Sequence, residues 1–293
     1  MRPKKFVNHL HRVLLILLVL LPPISCGEDP ATKEPAIEEP AVEEPTTAAA
    51  AANGSLGYVA LGDSLATGYG ATNGYVYRYA DLLEVDTETT VDVYNRGVNG
   101  LTSERLRAEI ENDQSARDAI RQAEVITINI GANDLLWARG SYRTGGCGGA
   151  DNQDCLRRAV VDFQANWDVV LAEVTDLRSS DVAIIRSIDF YNPSVNVDRA
   201  TSSWPDAGAN DFEVFKRYLE QVNSHIAKSS DAYGIPYARV YEAFNGPNGD
   251  EDPSLKGYMS SDGVHPSDSG HAVIARELRK LAYKPLYSTG AVK

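Results

Sequence analysis

From Tyr58 to about Tyr287, short apolar runs alternate with longer stretches in which apolar residues recur every three or four positions. The runs are Tyr58–Leu61, Val91–Tyr94, Val125–Ile130, Val182–Ile188 and Tyr237–Tyr241. They are rich in Val, Ile and Tyr and lack a strict apolar–polar alternation, so they predict strands buried on both faces. Leu156, Val160, Phe163, Trp167, Val170, Leu171, Val174 and Leu177 would share one face of a helix, as would Phe212, Phe215, Leu219, Val222 and Ile226. A third helical pattern starts near Ser267, where Pro266 and the Ser267/Asp268 pair suit a helix start. Strand–helix alternation of this kind predicts an α/β protein, a three-layer α/β/α sandwich around a parallel sheet of about five strands. Sites in such sheets lie beyond the carboxyl ends of the strands.

The first 56 residues follow neither pattern. Arg2, Lys4, Lys5 and Arg12 form a basic head, and Val13–Leu21 is an apolar run of signal-peptide rather than membrane-spanning length. Ser25-Cys26 resembles a bacterial lipoprotein cleavage box, after which Cys26 would carry lipid, although Pro23 stands where that box prefers Leu. Ordinary secretory cleavage is the alternative. Residues 26–56 then read as a linker: EPAIEEPAVEEP (Glu34–Pro45) and an alanine run stay extended and bury no core. The expected division is a signal peptide over 1–25, a lipidation cysteine and tether over 26–56, and one catalytic domain over 57–293. The protein is expected to be exported to the cell surface or periplasm, touching a membrane only through the anchor.

A formal net charge of −13 argues against a nucleic-acid partner, which needs a basic face. Loss of residues 1–25 would make the chain more acidic still. The 3 cysteines are too few for a disulfide scaffold, and no Cys/His cluster suggests zinc. The acidic stretch Asn248–Asp252 lacks the spacing of a calcium loop and reads as a solvated turn. No cofactor or metal is implied, and a monomer is the expectation.

Three of the predicted strands run directly into residues that can do chemistry. The first leads into Gly62-Asp63-Ser64-Leu65, the second into Asn95-Arg96-Gly97-Val98-Asn99-Gly100, and the third into Gly131-Ala132-Asn133-Asp134. Near the C-terminus, Asp262-Gly263-Val264-His265 precedes the last helix pattern. Each piece alone reads as a turn. Together, in this order, they resemble the GDSL family of serine hydrolases, also called SGNH hydrolases, over about residues 57–285. The elbow Gly-x-Ser-x-Gly of the α/β-hydrolases is absent.

The resemblance implies that Ser64 is the nucleophile, His265 its base and Asp262 the acid that orients the imidazole. It implies an oxyanion hole of the Ser64 and Gly100 N–H groups and the Asn133 side chain, with Gly97 as the competing glycine. Asp63 would cap or brace its loop, and Asp134 would be structural. A serine hydroxyl needs such a base to become nucleophilic, and imidazoles titrate close enough to neutrality to serve. The implied substrates are acyl esters, lysophospholipids, thioesters or acylated glycans. Asn133 fits the esterase and lysophospholipase branches better than carbohydrate-esterase branches that lack it. Rival readings are an acyltransferase with the same triad and a non-catalytic surface module. Of the other histidines, His9 and His11 fall in the leader, His225 reads as a surface or boundary position, and His271 lies within the last helix.

Two segments read as insertions that shape the substrate site. Trp137–Cys155 is Gly-rich, and in an exported protein Cys147 and Cys155 would form a local disulfide. Tyr191–Asp211 contains Trp204. Trp137 and Trp204 would either hold substrate or simply pack.

Overall fold

In a computed structural model, residues 54–284 and Leu286 are described. The expected leader, Cys26 and all but the last residues of the expected linker lie outside them. Five parallel strands form one sheet in the order β2-β1-β3-β4-β5. They are β1 (Leu56–Gly62), β2 (Val91–Gly97), β3 (Val125–Asn129), β4 (Ile184–Ile188) and β5 (Tyr237–Ala238). This is the α/β/α sandwich that the alternation predicts.

Period-two geometry sends alternate residues of each strand into two separate cores. Val59 and Leu61 of β1, with Ile126 and Ile128 of β3, face one core. It is closed by α3 (Ser103–Asn112), α4 (Gln114–Gln122), α5 (Ala132–Arg143), α6 (Asp154–Leu177) and α8 (Asp211–Ala232). Tyr58 and Ala60, with Val125 and Ile184, face the other. There α1 (Ser64–Thr67), α2 (Tyr75–Thr87), α9 (Val240–Asn245) and α10 (Asp268–Arg279) pack. The apolar stripe from Leu156 to Leu177 is the buried face of α6, and that from Phe212 to Ile226 is the buried face of α8. Ser267 caps α10 by accepting from the Gly270 N–H, as the start signal predicts.

The structure corrects three expectations. β2 is an edge strand and half-exposed along most of its length, because only β1 pairs with it. The run Tyr237–Tyr241 is a strand for two residues only, since the buried Asp189 carboxylate accepts the Tyr241 N–H and draws the chain into α9. Trp137 lies within α5 rather than in a loop, which is confined to the residues between α5 and α6. The other expected insertion contains a short helix, α7 (Val195–Arg199), whose buried Asp198 pairs with Arg139 of α5.

Register places the site. Gly62, the last residue of β1, pairs with Gly97 of β2 on one side and Asn129 of β3 on the other. The carboxyl ends of three strands therefore stop at one level, and the segments that follow them emerge side by side.

Candidate active site

Ser64 is the first residue of α1, immediately beyond β1. The helix is capped by Asp63, whose carboxylate accepts the Leu65 N–H at 2.9 Å and the Asn129 amide at 2.9 Å. Asn129 is held in turn by the Tyr75 hydroxyl. Asp63 is thus the loop brace that the sequence suggests. Burial pushes its carboxyl up to about 6, against the Leu65 and Asn129 donors that favour its charge.

His265 approaches from the other end of the chain. Its Nε2 lies 2.9 Å from Ser64 Oγ, and its Nδ1 lies 2.6 Å from Asp262 Oδ2. Asp262 also accepts the backbone N–H groups of Val264 and His265 and the Ser260 hydroxyl. Burial alone would raise this carboxyl, but the two backbone donors, the imidazole and Ser260 outweigh it and hold it well below the usual range. An ionised Asp262 can only accept, so Nδ1–H donates to it. In the neutral imidazole Nε2 is then the acceptor, and the Ser64 hydroxyl donates to it. Two aromatic residues that the sequence reading did not single out steady this loop. The Tyr191 hydroxyl donates to the Val264 carbonyl at 2.8 Å, and the Tyr69 ring lies 4.5 Å from the imidazole. Tyr191 follows β4 by only three positions, and that carboxyl-end placement was the available signal.

Asn133 stands in the first turn of α5, not in a turn of its own. Gly131 before it has φ +115°, and a Cβ there would lie 2.3 Å from the Phe163 ring. Only glycine lets the chain turn so tightly from β3 into α5. The Asn133 amide donates to the Leu101 carbonyl at 2.8 Å, while Asp63 Oδ2 lies 3.5 Å away, long for a hydrogen bond. Leu101 N–H closes a turn onto the Val98 carbonyl, and Val98 N–H donates to the Gly62 carbonyl. Gly100 lies in this turn between the Ser64 and Asn133 segments, with φ +73°. The rival Gly97 is the last residue of β2. A Cβ there would lie 2.7 Å from the Thr67 N atom, so Gly97 lets β2 end against α1.

A cavity of about 110 Å³ opens at Ser64 and His265. Asp63, Asn129, Asn133 and Asp189 contribute polar groups to its lining, and the rest is mainly apolar. Phe190 belongs to the lining, as do Tyr191 and Pro193 from the start of the second expected insertion. Neither Trp137 nor Trp204 does. Trp204 packs, partly buried, against the core, and Trp137 is 61% exposed in a shallow groove beside Cys155. Cys147 and Cys155 form the expected disulfide.

The remaining singled-out residues are structural. Asp134 accepts the backbone and hydroxyl of Ser103. Asp252, at the end of the acidic stretch, caps the turn beginning at Pro253. His225 pairs with Asp168 at 2.7 Å. His271 is fully buried, and its Nδ1 accepts the Tyr75 N–H at 3.1 Å. Burial pushes its pKa down to about 4 from 6.5. A histidine kept neutral in the fold contributes stability in full above pH 6.5 and loses it as pH falls toward 4. At pH 5 the loss is about 2 kcal/mol. His271→Gln keeps an acceptor without the titration. Urea unfolding of both forms at pH 7.5 and pH 5 should therefore show the native protein losing about 2 kcal/mol more than the variant. Equal losses would mean that folding does not lower the affinity of His271 for a proton.

A five-stranded parallel sheet between two layers of helices is the architecture of the SGNH hydrolase fold. Residues 60–273 match the GDSL-like lipase/acylhydrolase family, and the chain belongs to it, as a carboxylic ester hydrolase. Over 234 residues it is 26% identical to the spore germination lipase LipC of Bacillus licheniformis, spanning 78% of this chain and 97% of that one. Among solved structures, the lipase Lip_vut3 from a goat rumen metagenome superposes with a TM-score of 0.63 at 26% identity, covering 78% of this chain and 98% of the other. Axe2, an acetylxylan esterase from Geobacillus stearothermophilus, shares the fold at a TM-score of 0.55 and 20% identity, covering 78% and 94%.

Proposed function

We propose that the protein hydrolyses carboxylic esters through an acyl-enzyme on Ser64. The observation that carries this reading is the series Ser64 Oγ, His265 Nε2, His265 Nδ1, Asp262 Oδ2, with steps of 2.9 and 2.6 Å, at the mouth of a cavity. As Oγ attacks the ester carbonyl, its proton passes to Nε2, and Asp262 stabilises the imidazolium. Charge builds on the former carbonyl oxygen, where the Asn133 amide and the N–H groups of Ser64 and Gly100 are the donors. The tetrahedral intermediate collapses, the C–O bond to the alcohol breaks, and Nε2–H protonates the leaving oxygen. Water then gives its proton to Nε2 and attacks the acyl carbon. A second collapse frees the acid and returns the proton to Oγ. No further reactant is needed.

Export, with attachment through a lipidated Cys26, belongs to the same reading. Its supports are the basic head, the apolar run before Cys26 and the Cys147–Cys155 bridge, which suits an oxidising compartment. The test of the catalytic reading is a serine-reactive phosphonate. It should stop hydrolysis and become attached to the peptide containing Ser64. Attachment to another residue would overturn the assignment.

A further inference from the structure

The cavity at Ser64 has a direction. Val264, at its outer end, is 37% exposed, and His265 is partly exposed. Leu135 of α5, Phe190 after β4, and Phe215 and Leu219 of α8 are all buried and belong to the core between the sheet and those helices. The lining thus runs from solvent, past the reacting groups, to a closed apolar end.

Polar side chains in the lining are already engaged. Asn129 is held between Tyr75 and Asp63, Asp189 accepts the Tyr241 N–H, and Asn133 donates to the Leu101 carbonyl. None of these groups lies on the floor made by α8. A ligand part that enters there finds no hydrogen-bonding partner, so burying sugar hydroxyls in it would be costly. An alkyl chain loses nothing by leaving water and gains by it.

The reaction fixes which part of an ester enters. The leaving oxygen must reach Nε2–H of His265, on the solvent side, so the alcohol departs outward. The acyl group stays on Ser64 and has the inner space. We propose that this cavity is an acyl pocket that selects linear aliphatic acyl chains of about four to nine carbons, its length limit set by Phe215 and Leu219. The proposal rests on the reading of Ser64 as nucleophile. The length follows from the volume: about 110 Å³ holds roughly four to nine small groups at about 12–30 Å³ each. Acetyl esters would leave most of the pocket empty, and long fatty acyl chains would not fit.

The test uses p-nitrophenyl esters from acetate to hexadecanoate with the purified full chain. kcat/KM should peak between hexanoate and octanoate, at least tenfold above acetate, and fall at least tenfold by hexadecanoate. Leu219→Trp fills the floor and should lower the octanoate-to-acetate ratio at least tenfold. Phe215→Ala enlarges the pocket and should raise the dodecanoate-to-octanoate ratio. The second variant serves if the first fails to fold, and the native profile decides if both do. Acetate as the best ester, an undiminished rate through hexadecanoate, or ratios that neither folded variant moves would overturn the pocket while leaving hydrolysis at Ser64 intact. Failure to cleave any ester, with no phosphonate on Ser64, would instead overturn the catalytic reading.

Discussion

Ester hydrolysis should fall by about 10⁴–10⁶ in kcat when Ser64 is replaced by alanine, and by a similar factor for His265→Ala. The two effects should not multiply. Ser64 Oγ and His265 Nε2 are 2.9 Å apart and carry one proton between them, so removing either ends the same step. The double variant should therefore be hardly slower than either single one. What survives is the rate given by substrate binding and the oxyanion donors alone. Both substitutions remove side chains that face the cavity mouth rather than the core, so unfolding midpoints should stay close to native. Initial rates on one ester, with midpoints measured beside them, check the prediction. A single variant that keeps more than a tenth of the activity, or a double variant slowed by the product of the two factors, would sink the shared-proton account.

Asn133→Ala should lower kcat by about 10²–10³ with little change in KM. The amide proton near Asp63 Oδ2 makes only a 3.5 Å contact, so it is the one available to a developing oxyanion, while the other stays on the Leu101 carbonyl at 2.8 Å. That second bond fixes the amide before substrate arrives, and a donor already in place costs no reorganisation as charge appears. The loss should therefore fall on the transition state rather than on ground-state binding. A change confined to KM would make Asn133 a substrate-positioning residue. An equal loss of stability would mean that its bond to Leu101 matters more to the fold than to the reaction.

Much of this was legible because strands write their own ends. The runs before Ser64 and Asn133 are largely apolar, and the break to Gly marks closely where each leaves the sheet, whereas β2 continues past its Asn95 to Gly97. Parallel register then aligns those breaks without further instruction, as the pairing of Gly62 with Gly97 and Asn129 shows. The meeting of His265 with Ser64 was carried by the family resemblance, since no local pattern joins residues so far apart. The short β5 escaped the sequence reading because its end is set by Asp189, a long-range acceptor for the Tyr241 N–H. The helix through Trp137 escaped it because Gly140 and the glycines beyond suggested a loop. The pocket walls were hidden for another reason. Phe215 and Leu219 sit on the same apolar stripe as the purely structural Val222 and Ile226, and a stripe does not say which of its members faces a void.

Ser64 and His265 are 201 positions apart in the chain. At 5–20 residues per second of synthesis, roughly 10–40 s pass between the appearance of the serine and that of its base. Throughout that interval the growing chain carries an ordinary, unarmed hydroxyl. The loop that brings Asp262 and His265 is then docked by α10, which packs on α2 and holds the Thr72 and Asn73 N–H groups through Asp268. On the proposed reading of Ser64 and His265, hydrolysis should therefore begin only once this last loop has docked.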